Sequence, residues 1–181
     1  MIVLFNHTRH PDEPIRDILN FAARVMKVKG EICVKISRSR DIRPGGTAHR
    51  GYPYYGFMKG TSDRKGRNGL LIGSDSGWIQ LHLANRIPLA EKHDWLDAAG
   101  WFIDTALHEM AHIFQFRSGL YGKLRQQEAK HPSGRRMRHD YRPCEIDVQN
   151  RIYDVMKDKA RNRRSQELTI DLAIAMEKGA K

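Results

Sequence analysis

Two histidines and a glutamate, within His108-Glu109-Met110-Ala111-His112, are the residues of this chain whose types and spacing point most directly to chemistry. Side chains four residues apart leave an α-helix from the same face, so two imidazoles can meet one metal ion there. Imidazole suits zinc, and a glutamate one step round the helix is placed to take a proton from a metal-activated water. A helical wheel drawn from His108 sets His112, Asp104, Thr105 and Gln115 on one side, with Phe102, Ile103, Ala106, Leu107, Met110, Ile113 and Phe114 opposite. The apolar side predicts a core contact, and the histidine side a cleft holding one Zn2+ per chain.

A catalytic zinc takes three protein ligands and keeps one position open. Glu145 is the first candidate for the third. In a helix opening at Pro143 it shares a stripe with Val148, Gln149, Ile152 and Met156, while Asp147 falls on the far side. A carboxylate on a core-facing stripe is costly to bury without a cation. An acidic residue in a first helical turn also gains from the macrodipole, which leaves a purely structural role open to Glu145. His131, His139 and Cys144 are the other downstream residues of ligand type. A donor for a developing oxyanion would come from His139, Tyr141, Arg142 or the tyrosines Tyr52, Tyr54 and Tyr55, and Asp104 and Gln149 could support the site. Those three tyrosines, close to glycines, equally suit a packed strand or a stacking platform for single-stranded nucleic acid.

The run from His108 to Gln115, followed by Glu145-Ile146-Asp147-Val148-Gln149, resembles the gluzincin-like branch of the zincin metallopeptidases. Within it, the likeness is to compact bacterial or phage-borne zinc peptidases of the ImmA/IrrE-like kind. The resemblance implies a zincin-like α+β domain in which a sheet backs the HExxH helix. It implies zinc-dependent hydrolysis of peptide bonds, with His108, His112 and Glu145 as ligands and Glu109 as general base. It also implies that the residue four places after the ligand glutamate supports a zinc histidine; that place is Gln149 here, where relatives often carry Asp or Asn. A peptide or protein substrate would add to an exposed strand edge, Leu70 to Gly73 or Trp78 to Leu83. The SprT-like DNA-associated proteases are a weaker likeness, since their third ligand is a histidine in a His-Gly setting, whereas His131 precedes Pro132 and His139 precedes Asp140.

The elements that must position these residues follow from periodicity. Ile2 to Phe5 is a short apolar run, and Pro11 to about Lys29 carries Ile15, Ile18, Leu19, Ala22, Val25 and Met26 at helical spacing before Gly30. Glu31 to Ser37 alternates as a strand with one buried face, and so does Trp78 to Leu83. Residues 39–68 are rich in Gly, Arg and Tyr and predict a loop or flap, with a short strand over Tyr54 to Met58. Asn68-Gly69 is a hairpin dipeptide. Helices are predicted over Asp94 to Phe116, Pro143 to about Lys159 and Gln166 to Lys178, so that 143–181 forms C-terminal helices carrying the third ligand. Strands followed by helices predict one α+β domain over 1–181, with a small antiparallel or mixed sheet packed on the HExxH helix.

At 181 residues the chain can bury a core without disulfides or a metal staple, so a metal would serve chemistry rather than folding. Two cysteines, Cys33 and Cys144, make no disulfide framework, and no apolar run is long enough to span a membrane; a cytoplasmic setting and no membrane partner are the expectation. The net charge of +11 is concentrated in Arg38 to Arg67, Arg135 to Arg138 and Lys157 to Arg164. Such clusters either solvate the surface or attract nucleic acid or another polyanion. This sets a second class of function beside the peptidase: a basic nucleic-acid-binding module whose zinc is structural or vestigial. A third is a zinc hydrolase acting on a bond other than the peptide, because HExxH specifies activated water and not the substrate.

Overall fold

The computed structural model describes residues 1–39, 47–49, 52–53, 56–58, 78–84, 94–132 and 137–180. Most of the predicted flap, the Asn68-Gly69 hairpin and the Leu70 to Gly73 edge lie outside these described residues.

The chain opens with strand β1 (Ile2–Asn6), helix α1 (Asp12–Val25) and strand β2 (Ile32–Ser39). Pro11 in extended conformation starts α1, Asp12 and Glu13 complement its positive end, and Ile15, Ile18, Leu19, Phe21 and Ala22 form its buried face. Gly30, at φ +83°, turns the chain into β2, a conformation that an L side chain rarely adopts. The pairing of β1 with β2 is parallel, as the intervening helix allows.

Three short strands follow: β3 (Thr47–His49) pairs antiparallel with β4 (Tyr52–Pro53), and β5 (Gly56–Met58) joins the main sheet. Strand β6 (Trp78–Ala84) lies parallel to β2, so that Val34 stands opposite Ile79 and Ile36 opposite Leu81. The sheet order is β1-β2-β6-β5, with β5 antiparallel to β6. The sheet is therefore mixed, and its three long strands are parallel; the antiparallel alternative is corrected. A helix joins β1 to β2 and a long segment joins β2 to β6, whereas antiparallel neighbours need only a tight turn. Trp78 to Leu83 is corrected too, since β6 lies between β2 and β5, and β5 is the outermost strand on that side among the described residues.

The predicted alternation holds: Ile32, Val34 and Ile36 of β2, and Ile79, Leu81 and Leu83 of β6, are buried, while the residues between them are half-buried. Helix α2 (Trp95–Arg117) crosses this sheet near β5 and β6 and packs as well on α1 and on the later helices α3 (Leu120–Lys130), α4 (Pro143–Lys157) and α5 (Lys159–Ala180). Of its predicted apolar side, Phe102, Ile103, Ala106, Leu107, Met110 and Ile113 are buried in the core. Phe114 is only half-buried and lies 4.2 Å beneath the Arg151 guanidinium. A capping box of Asp94 and Asp97 starts α2. At its other end Arg117 donates hydrogen bonds to the carbonyl oxygens of Lys29 and Glu31, fastening the helix to the turn that enters β2. Among the described residues no helix is long and apolar enough to cross a membrane.

Candidate metal centre

His108 and His112 leave α2 one turn apart, and their Nε2 atoms lie 3.2 Å from each other. Glu145, in the first turn of α4, sends Oε2 to within 3.4 Å of both. Two helices thus bring three ligand-type atoms to one point, buried around Glu145 (6% exposed) and His112 (8%) and open to solvent at His108, whose side chain is 32% exposed. Among the described residues, this is the group of three or more His, Cys, Asp or Glu side chains that could hold a metal ion.

The spacing can be tested against a metal. Ligand atoms at roughly 2.0–2.2 Å from a tetrahedral zinc stand about 3.3–3.6 Å apart, close to the edges of the triangle found here. A charge-assisted hydrogen bond between imidazole and carboxylate would be shorter, about 2.7–2.9 Å. Consistent with this, Glu145 Oε2 is buried and makes no hydrogen bond. A buried carboxylate oxygen held between two imidazole nitrogens, too far for strong hydrogen bonds, fits a cation between them.

Without a metal, the three groups also act on one another's charge. Burial would raise the Glu145 carboxyl, but the imidazoles of His108 and His112 outweigh it and hold the group well below the usual carboxylate range. Burial would lower His112, but Glu145, then Glu109 and Gln115, outweigh it and raise the ring. Glu109 is itself buried at 6% exposure, and its charge reaches His112.

Around the triangle, His112 Nδ1 lies 3.0 Å from Gln115 Oε1. Gln115 Nε2 donates to the Cys144 carbonyl oxygen and to Asp147 Oδ2, both at 2.8 Å, and Asp147 Oδ2 also accepts from Arg151 Nε at 2.7 Å. The sequence reading placed support for a zinc histidine at Gln149 and set Asp147 on the outer face. Gln149 is exposed, and the support comes from Gln115 with the half-buried Asp147 behind it. A helical wheel sorts residues only by apolar face; it has no knowledge that a long side chain from α2 spans the first turn of α4 and meets Asp147 from the side.

The remaining candidates fall at varied distances from the triangle. His139, in a short 3-10 turn (His139–Tyr141) before α4, has Nε2 3.3 Å from Glu145 Oε1, the oxygen turned away from the two imidazoles. Its side chain is 62% exposed, so it stands at the mouth and outside the triangle. Cys144 Sγ donates toward the same Oε1 at 3.7 Å, and burial, then the charges of Glu145 and Glu128, push the thiol up to about 11. It serves as a neutral donor beside the carboxylate. His131 is exposed at the end of α3 and is not brought into the triangle. Tyr141 is exposed, with the Arg138 guanidinium 5.8 Å from its ring centre. Arg142 lies 3.7 Å from Glu128. Asp104, exposed one turn before His108, has its carboxyl raised by burial. The side chain of Tyr52, and Tyr54 and Tyr55 altogether, lie outside the described residues. Comparison with family models, curated proteins and solved structures gave no match.

Proposed function

We propose that the chain is a zinc-dependent metallopeptidase of gluzincin-like design, with His108, His112 and Glu145 as the zinc ligands and Glu109 as the general base. The observation that carries the reading is the triangle of two Nε2 atoms and one Oε2, with edges of 3.2, 3.4 and 3.4 Å, in contact with the charge of a buried glutamate from the same helix. Bound zinc would supply Lewis acidity, lowering the pKa of a water and polarising a carbonyl. Glu109 would accept the proton from that water and return it to the leaving amine. His139, at the exposed mouth with its ring nitrogens 3.3 Å from Glu145 Oε1 and 3.4 Å from Asp140 Oδ1, would have to turn from these carboxylates to donate to charge developing on a substrate oxygen. Strand β5, outermost on its side of the sheet among the described residues and packed beside α2, would be where an extended peptide adds.

The test is metal content together with hydrolysis of an unfolded protein substrate. Wild-type protein should hold close to one zinc per chain, and His108→Ala or His112→Ala should lose it. Glu109→Gln should keep zinc, with hydrolysis down by at least about 100-fold. Glu145→Gln should lose both. Normal zinc affinity in Glu145→Gln, with release of metal from His139→Ala or His131→Ala, would replace this ligand set by the histidine-ligand alternative. Retention of zinc with no hydrolysis of any peptide would leave a metal site serving another bond or a structural role.

A further inference from the structure

Resting on the metal-centre reading, we propose that Gln115 is a positioning residue that fixes the tautomer of His112 and aims its Nε2 at the metal. The inference follows from counting protons along the chain of hydrogen bonds behind that histidine. At one end of the Gln115 amide stand the Cys144 carbonyl oxygen and an Asp147 carboxylate oxygen, each 2.8 Å away. Both can only accept, so the NH2 group of Gln115 must face them. The other end must then be the carbonyl oxygen, which also only accepts, and it lies 3.0 Å from His112 Nδ1. His112 is therefore obliged to carry its proton on Nδ1. The Nε2 lone pair is left free toward His108 and Glu145, as ligation requires.

The chain has an anchor. Asp147 accepts from Arg151 Nε at 2.7 Å, and the Arg151 guanidinium in turn lies over Phe114, the residue beside Gln115 on α2. With Gln115 fully buried, the pieces close a loop from α2 to α4 and back, so the arrangement that sets the histidine also holds the Glu145 turn against it. Gln115 here takes the place that a carboxylate more often fills behind a metal-bound histidine. A carboxylate at that position would confront Asp147 and the Cys144 carbonyl, whereas an amide satisfies both and still presents an oxygen to the ring.

The experiment combines nitrogen-15 NMR of the His112 ring in metal-free protein, above the pH at which the imidazole titrates, with zinc affinity by chelator competition. Wild-type His112 should be predominantly Nδ1-protonated. Gln115→Leu, which keeps bulk but removes the amide, should give a tautomer mixture and lower zinc affinity by about 10- to 100-fold, the range for losing such a partner. The double variant Gln115→Glu with Asp147→Asn moves the carboxylate next to His112 and the amide to position 147. It should restore the Nδ1-protonated tautomer, because a carboxylate oxygen still accepts from the ring, which mere packing would not do. Zinc affinity should return only in part, because the carboxylate now at position 115 still faces the Cys144 carbonyl oxygen. A Gln115→Leu protein with unchanged tautomer and affinity overturns the proposal. If that variant does not fold, a folded double variant with lost Nδ1 protonation overturns it equally. A wild-type chain that takes up no zinc removes the metal-centre reading and the aim of Nε2 at a metal, while the tautomer set by Gln115 is still decided by itself, because it is measured without metal.

Discussion

Burial and charge oppose each other at Glu145, and the outcome can be read as a pH dependence. In metal-free protein its carboxyl is held below the ordinary 4.5, so its stabilising contribution is present above that value and is lost as pH falls through the lowered one. His112 is held above the ordinary 6.5, so its contribution is complete below 6.5 and is lost as pH rises through the raised value. Chelator-treated protein should therefore gain most from this pair between 4.5 and 6.5. Urea midpoints taken across pH should show the gain flattened in His112→Gln and in Glu145→Gln; identical profiles for wild type and both variants would contradict it. Zinc loading should tilt the profile the other way, with stability rising with pH as protons compete less with the metal for the ligands and are released to solvent. The residues of the triangle were legible in the sequence, because helical spacing pairs His108 with His112 and a carboxylate on a core-facing stripe, as at Glu145, is costly to bury without a cationic partner. Gln115 and Asp147 were not, since their roles arise only where two helices meet.

Helices with a continuous apolar stripe were the legible elements, and those without one were not. Helix α3 buries Glu128 alone among its residues, held by Arg125 beside it and by Arg142 at the start of α4, and a stretch so polar gives no periodic signal. Helix α5 was expected from Gln166 but starts at Lys159. Its first turns are basic, and Asp158 caps them by accepting from the backbone N–H groups of Ala160 and Arg161. The apolar contacts that reveal a helix begin only near Leu168. Helix α2 combines both signals, and its capping box allows scaffold and site to be separated. Asp94 lies fourteen residues before His108, about 21 Å along the helix. Asp94→Ala should cost about 1 kcal/mol of stability by thermal or urea unfolding. It should leave zinc affinity unchanged; a parallel fall in affinity would mean that fraying at this end reaches the metal.

Among the described residues, the Lys and Arg side chains are less available than their number suggests. In the C-terminal cluster Arg161 pairs with Asp158, and Arg163 and Arg164 both pair with Glu167. Nearer the metal centre, Arg151 pairs with Asp147 and Arg125 with Glu128. The net charge already subtracts these acidic partners; their i, i+3 and i, i+4 placement makes the local positive field of the described stretches weaker than their arginines alone would give. Affinity for a polyanion such as heparin or single-stranded DNA should accordingly be modest and steeply salt-dependent, disappearing between about 50 and 200 mM salt. Tight binding at the upper salt level, indifferent to chelation, would favour the nucleic-acid module over the peptidase. The coarse class, α+β, was legible at this scale from alternation and helical period. Strand order and direction were not, because no local pattern says which strands become neighbours.

Helix α2 is fastened at both ends by groups that owe nothing to the metal: Asp94 and Asp97 at its start, and Arg117 on the Lys29 and Glu31 carbonyls at its end. Its core face lies against the sheet, α1 and α5. The first turn of α4, by contrast, meets the site through Glu145 and the Gln115 bridge. Withdrawing an ion from such a joint should loosen one partner and not the other. Amide hydrogen exchange should quicken on chelation over residues 143–149 while the middle of α2 keeps its protection, since local opening follows the weaker attachments. An equal rise in both segments would show that the two helices open as one cooperative unit.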